Sequence, residues 1–440
     1  MSKKTIYKTA SPKEKAVLVG VEVQGANKLL SMESSLEELY LLSETAGVEV
    51  VGELTQKLDK PNPSTFIGSG KVEELKELAS ALDADMVIFD DELSPRNFRD
   101  IEEQLPAGMK VLDRTGLILD IFALHANTSE GILQVELAQH EYLYPRLTRA
   151  WTHLVRQAGG GGGRAGGVGG VGLRGPGETQ LEDDRRKIRD QISSLKNELE
   201  KVRSHREQTR IKRKRSHIPL IALVGYTNAG KSTLLNRLTK ADVYVADQLF
   251  ATLDPTTRKL WLPDGKQALI TDTVGFIQKL PHQLVAAFRA TLEDITEADL
   301  LLHVVDISNP DAHAQWQAVI ETLVEIEADE IPMLTVLNKI DRNIDESEVN
   351  RNFPQFQNAV RISAQTGQGI EELQKRIKEY LYESMMDISV KLPYQQMNLV
   401  SLFHQSGIVT KATHEVDHTL LEGKIPTRLY RLFAPYKMTD

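Results

Sequence analysis

The chain has 440 residues, a hydrophobic fraction of 41% and no cysteine, so disulfides, thiolate metal sites and cysteine nucleophiles are excluded. At about 150 residues per domain, the length predicts about three domains. Net charge is −9, yet Arg185 to Arg215 holds 13 Lys+Arg against 4 Asp+Glu, and one basic stripe on an acidic protein is the footprint of a polyanion contact.

No stretch approaches the ~20 apolar residues of a membrane span. Met1-Ser2-Lys3-Lys4-Thr5 leads into no signal-peptide core, so a cytoplasmic chain is expected. Residues 15–124 then alternate strand and helix. Lys15–Val23, Val48–Leu54, Met86–Phe89 and Lys110–Leu112 read as strands. Leu36–Ala46, Val72–Leu82, Asn97–Leu105 and Leu117–Leu124 read as helices. That rhythm predicts a parallel sheet in an N-terminal α/β domain over 1–128. Within it Gly68-Ser69-Gly70-Lys71 lacks full phosphate-loop spacing and reads as a turn opening a helix, with an anion or nucleotide site as the alternative.

Residues 129–215 read as two long helices around a loop. Glu130–Gln157 carries apolar residues at helical spacing, with Pro145 bending or interrupting it. Gly159–Gly177 contains 12 glycines with Arg164 and Arg174 among them, and has no side chains from which to build a core. Beyond it Leu181, Ile188, Ile192, Leu195, Leu199 and Val202 form the seam of a coiled-coil-like helix, predicting an antiparallel pair with the loop at its tip. The loop is either a linker or a tip that inserts into RNA, its arginines stacking on bases and its glycines permitting close approach. Lys212, Arg213, Lys214 and Arg215 end the second helix and are read as phosphate contacts.

The stretch Gly225-Tyr226-Thr227-Asn228-Ala229-Gly230-Lys231-Ser232 reads GxxxxGKS. It follows an apolar strand, Ile218–Val224, and opens a helix with leucines at 234, 235 and 238. Strand, glycine loop and helix turn successive N–H groups onto a phosphate. Gly225, Asn228, Ala229, Gly230, Lys231, Ser232 and Thr233 are the expected contacts, Lys231 bridging the β- and γ-phosphates and Ser232 meeting Mg²⁺. Asp272-Thr273-Val274-Gly275 ends a strand, placing Asp272 on the Mg²⁺ shell and the Gly275 N–H on a γ-phosphate. Between them Phe250–Thr257 is polar and Pro-broken, too much so for core. It is the first switch, with Thr252 chosen as a Mg²⁺ ligand and Thr256 or Thr257 as alternatives.

Asn338-Lys339-Ile340-Asp341 chooses the base. A carboxylate at Asp341 accepts guanine's two donors and rejects adenine. Ser363 and Ala364 back the base from the next strand end. Lys231, Gly275 and Asn228 are the expected catalytic residues of a GTP-hydrolysing domain over 216–384. After it, strands Met386–Leu392 and Gly407–Thr413 surround a helix Met397–Gln405, and Leu420–Ile425 with Arg428–Phe433 completes a small α+β domain over 385–440.

On these residues the whole chain resembles the HflX-type GTPases, a branch of the Obg-related translation GTPases. Gly172–Glu182 and the switch Phe250–Arg258 carry the resemblance most specifically. It implies GTP and GDP as ligands, binding to the large ribosomal subunit and its RNA, and splitting or rescue of ribosomes under stress. A secondary ATP hydrolysis, where family members have one, would fall to the N-terminal domain. A monomer is expected. Two alternatives stand: a GTP-gated RNA-binding or assembly factor without splitting, and a regulatory GTPase on a membrane periphery, where the basic run would meet anionic lipid. In switches of the Ras type a glutamine after the DxxG glycine orients the attacking water; here Phe276 stands there and cannot. Asn228 resembles asparagines that recruit K⁺, whose charge substitutes for an arginine finger, or else it stabilises the loop. The ribosome itself is the other candidate activator.

Overall fold

Strand β1 (Lys15–Val23) is buried through most of its length, as expected of a strand with neighbours on both edges and cover on both faces. In a computed structural model of the chain it pairs in parallel with β2 (Glu49–Leu58) and β3 (Met86–Phe89), and β3 with β4 (Lys110–Asp113). The order is β2-β1-β3-β4. The structure describes residues 13–25, 29–147, 176–215, 218–239, 249–250, 256–279, 294–342, 356, 358–382, 385–415, 417–426 and 429–438.

The intervening helices start where caps allow. Helix α1 (Met32–Thr45) begins ahead of the expected Leu36, because the Ser31 side chain accepts the Ser34 N–H. Helix α2 (Ser69–Ala81) opens at Gly68, so the Gly68–Lys71 stretch is a helix start. Its first amide donates to Gln56 Oε1 (2.9 Å), and Lys71 pairs with Glu74 (2.8 Å). Helix α3 (Pro95–Glu102) carries a capping box between Ser94 and Asn97. Helix α4 (Arg114–His125) is capped by Asp113, whose carboxylate accepts the Gly116 N–H.

Helix α5 (Ser129–Leu143) ends in a 3₁₀ turn at Tyr144–Arg146, since Pro145 has no N–H to continue the ladder. Helix α6 (Pro176–Arg215) starts inside the stretch read as glycine loop; proline at a first helical position loses no hydrogen bond. The two helices run antiparallel. Lys196 pairs with Glu141 (2.8 Å), Arg189 donates to the Tyr144 hydroxyl (2.8 Å), and Arg185 reaches the Leu147 carbonyl (3.4 Å). Ile188 and Leu195 of the expected seam are buried.

The second sheet has the order β10-β9-β8-β5-β7-β6. It comprises β5 (Leu220–Gly225), β6 (Thr256–Trp261), β7 (Gln267–Asp272), β8 (Leu300–Asp306), β9 (Met333–Asn338) and β10 (Val360–Arg361). All pairs are parallel except β6 on β7, at the edge. Helix α7 (Lys231–Thr239) packs on one face, with α8 (Ala312–Glu325) and α9 (Ile370–Leu381) among the other described helices of this unit. The C-terminal sheet, β11 (Met385–Pro393), β12 (Ile408–His414) and β13 (His418–Pro426), is antiparallel with β13 central, and is covered by α10 (Met397–Ser406). Part of the last expected segment, Tyr430–Phe433, is a short helix.

One buried apolar cluster runs from the first sheet into the second unit, joining Phe89 and Leu93 to Tyr226, Phe250, Phe276 and Ile277. Phe250 corrects the reading of 250–257 as too polar for core. It is buried at φ 56, edge-on to Phe122 with centroids 4.6 Å apart. The polarity of its successors hid one aromatic that the chain turns inward before the switch begins.

Candidate functional site

The residues singled out in the second unit gather at the carboxyl ends of its parallel strands, where open α/β sheets bind ligands. Gly225 ends β5 so close to β8 that a Cβ there would lie 2.3 Å from the Val304 carbonyl oxygen. Asn228 holds φ 59, which bends the loop back towards α7. A Cβ on Gly230 would lie 2.3 Å from Asn338 Nδ2, so the loop passes directly over that side chain.

Lys231, at the first turn of α7, donates to the Gly225 (3.0 Å) and Tyr226 (2.8 Å) carbonyls. Burial pushes its amine down to about 8, the Asp272 charge recovering only part of the shift. The neighbouring His303 is pushed by burial, and secondarily by Lys231, down to about 3, so its imidazole is neutral. The Ser232 hydroxyl donates to Asp272 Oδ2 (2.6 Å), bringing together two of the oxygens expected on Mg²⁺. Hard oxygen donors of this kind suit that ion. Thr256 and Thr257 lie in β6 opposite Asp272 and Thr271, with the Thr257 and Thr271 hydroxyls 3.2 Å apart. Thr252, Arg164 and Arg174 lie outside the described residues. Lys212, Arg213, Lys214 and Arg215 lie on the last turn of α6, shortly ahead of β5 in sequence.

The arm after Asp272 is zipped to the glycine loop. Thr227 N–H donates to the Phe276 carbonyl (2.8 Å) and Phe276 N–H to the Gly225 carbonyl (3.1 Å). A Cβ on Gly275 would lie 2.9 Å from Thr227 Cα and 3.0 Å from Lys231 Nζ. The Phe276 ring turns into the core, so it offers nothing polar to a water at the phosphates.

On the other side of the loop Asn338 is a strut. Its Nδ2 donates to the Ala229 carbonyl (2.8 Å) and its Oδ1 accepts the Ala364 N–H (2.9 Å). Lys339 takes φ 67 and pairs with Asp306 (2.6 Å), while Asp341 is exposed beside it. Ser363 is buried and its hydroxyl accepts the Thr366 N–H (3.0 Å). Arg237 braces the same loop from α7, donating to the Ala364 carbonyl (3.0 Å).

Sequence reasoning missed Tyr226, whose hydroxyl donates to Glu38 Oε1 (2.5 Å) and accepts the Gln278 N–H (2.8 Å). It also missed Arg114, buried between Glu38 and Asp90, and Lys279, which pairs with Asp90 and Asp91. Burial pushes the Asp90 carboxyl up, but Arg114 and Lys279 outweigh it and hold it below the usual range. The only local signal was an aromatic at a variable position of the glycine loop.

Four family models match in succession. They are described as "GTP-binding GTPase N-terminal" (residues 33–123), "GTP-binding GTPase Middle Region" (125–213), "50S ribosome-binding GTPase" (220–339) and "HflX C-terminal domain" (349–424). A relative from Escherichia coli named GTPase HflX is 47% identical over 393 residues, 89% of each chain. One of the same name from Caldanaerobacter subterraneus is 46% identical over 401 residues, 91% of this chain and 88% of its own. A solved GTP-binding protein from Sulfolobus solfataricus in complex with GDP is 25% identical, with a TM-score of 0.43, covering 84% of this chain and 98% of that one. Among the described residues no helix is long and apolar enough to cross a membrane.

Proposed function

The chain belongs to the HflX family of GTPases, and on that premise we propose that it is a GTP-gated factor of the large ribosomal subunit that splits or rescues ribosomes under stress. Hydrolysis of GTP is the activity of the family. In the proposed assignment the N–H groups of Gly225–Ser232 and the Lys231 amine hold the phosphates, and Gly275 meets the γ-phosphate. Asp341 reads guanine, with Ser363 and Ala364 behind the base. Ser232 and Asp272 would hold Mg²⁺, with Thr252 joining them when the γ-phosphate is present, and the ion would supply positive charge against the phosphate oxygens.

With Phe276 turned inward, activation falls to Asn228 with K⁺ or to the ribosome. The preorganised loop fixes the phosphates, which is where most of such catalysis resides.

The observation that carries the ribosomal half is α6. This 40-residue helix ends in Lys212–Arg215, with four residues between it and β5, which begins at Leu220 and feeds the glycine loop. In this reading a change at the nucleotide is carried through that short connection and along the helix to the Gly/Arg tip. Neutralising Lys212, Arg213, Lys214 and Arg215 weakens subunit binding and flattens its salt dependence, because fewer counterions are released. Removing Gly161–Gly172 spares binding but abolishes splitting and ribosome-stimulated turnover. Gradient profiles of subunits with both variants are the test. Parental splitting by the loop deletion makes the loop a linker and refutes this role.

A further inference from the structure

Between the first α/β unit and the arm after Asp272 lies a closed ring of polar groups. Tyr226, 4% exposed, donates to Glu38 and accepts the Gln278 N–H. The second Glu38 oxygen meets Arg114, which is 1% exposed, and Arg114 Nη1 reaches Asp90 Oδ1 at 2.6 Å. The other Asp90 oxygen accepts the Ser35 hydroxyl (2.7 Å) and the Lys279 amine. Gln278 and Lys279 are neighbours, so one peptide bond closes the ring. It holds two carboxylates and two cations, with Asp91 a further partner of Lys279 outside the ring (2.7 Å), and removing Lys279 leaves Glu38 and Asp90 to share one guanidinium. Lys279 also takes φ 56, a left-handed conformation that a lysine adopts only when its surroundings enforce it.

The ring acts on the segment that meets the nucleotide. Gly275 lies against Thr227 and Lys231, and the Phe276 backbone is paired on both sides with the glycine loop. Gly275 thus stands against the Lys231 amine, where the γ-phosphate is assigned above. Making room for a third phosphate would shift this segment, and with it Gln278 and Lys279 a few residues on, whereas a diphosphate would not reach it.

We propose that Tyr226 and Lys279 are positioning residues that hold the Asp272–Gly275 arm against the glycine loop through Glu38 and Asp90, and so set the protein's preference between GTP and GDP. The proposal rests on the phosphate site assigned above to Lys231 and Gly275. The ring resists entry of the third phosphate, and opening it at either link relieves the resistance. Because the ring is closed, the two links act as one.

The test measures the affinities of GDP and of a non-hydrolysable GTP analogue for the full chain, Tyr226→Phe, Lys279→Met and the double variant. Tyr226→Phe keeps the ring in the core and removes only the hydroxyl. Lys279 is partly exposed, so its variant folds even where the buried one does not. Each single variant raises the analogue-to-GDP affinity ratio about tenfold, the size of one buried hydrogen bond of about 1.4 kcal/mol, with GDP affinity kept within about twofold. The double variant gains little beyond either single one, whereas independent structural roles would multiply. An unmoved ratio in both single variants, or an equal loss of both nucleotides, overturns the proposal. Failure of the phosphate-site assignment is a separate result, in which Lys231→Ala leaves the affinities of both nucleotides at parental values.

Discussion

Replacing Asn338 separates two roles that its position invites. A residue that only touched the nucleobase would matter when nucleotide is bound. The structure instead places its amide between two buried backbone groups, the Ala229 carbonyl at 2.8 Å and the Ala364 N–H at 2.9 Å. Asn338→Ala orphans both. An unsatisfied buried group costs about 1–3 kcal/mol, so the nucleotide-free protein loses about 2–4 kcal/mol after partial relaxation. Asn338→Asp keeps the acceptor for Ala364 but sets a carboxylate oxygen against the Ala229 oxygen, and its cost of about 1–3 kcal/mol falls on the glycine loop alone. Urea unfolding of nucleotide-free protein, followed at Trp316, which packs with Val305 and Leu337 in the same unit, reads the loss. Both variants also weaken GTP and GDP by the same factor, since both ligands use the loop. A nucleotide-free Asn338→Ala protein as stable as the parent would refute the strut and return the residue to the base alone.

Three further outcomes follow from the site. Asp341→Asn replaces guanine's paired acceptor with a half-donor amide and weakens GTP by about 2–3 kcal/mol in a fluorescence titration; unchanged affinity removes Asp341 from the base site. If Asn228 holds K⁺, hydrolysis runs faster in KCl than in NaCl at equal ionic strength, and Asn228→Ala erases the difference while leaving nucleotide binding intact. Equal parental rates in the two salts leave Asn228 as a loop-shaping residue. Lys231 sits at about 8 against an ordinary 10.5, so it releases its proton in the folded chain while the unfolded chain still holds one. This group therefore adds stability as pH rises from about 8 to about 10.5, and phosphates around the amine reverse the shift. Nucleotide binding at pH 9 consequently takes up protons, measured by calorimetry in buffers of different ionisation enthalpy; a buffer-independent heat contradicts the assignment.

The parallel sheets and the loop at 225–232 were legible because their signals are local. Apolar runs of strand length and the glycines before Lys231 each announce themselves within a few residues. What was not legible is pairing over distance. Tyr226 and Glu38 lie 188 positions apart, and Lys279 and Asp90 lie 189 apart, so neither partner carries a pattern that points to the other. Phe250 was misjudged for a related reason. The segment after it, through Thr257, reads as polar and Pro-broken, while its own burial depends on Phe122 from another unit. Asn338 was recognised by its motif but assigned to the base, and only the structure shows it tied to Ala229 and Ala364.

In the proposed function the nucleotide state governs contact with the large ribosomal subunit. The most direct test is sedimentation of the purified full chain with separated ribosomal subunits, with a non-hydrolysable GTP analogue and with GDP. Co-sedimentation with the large subunit is expected with the analogue, little with GDP, and a steep decline as salt rises. Equal sedimentation in both nucleotide states, or none with the large subunit, would contradict it.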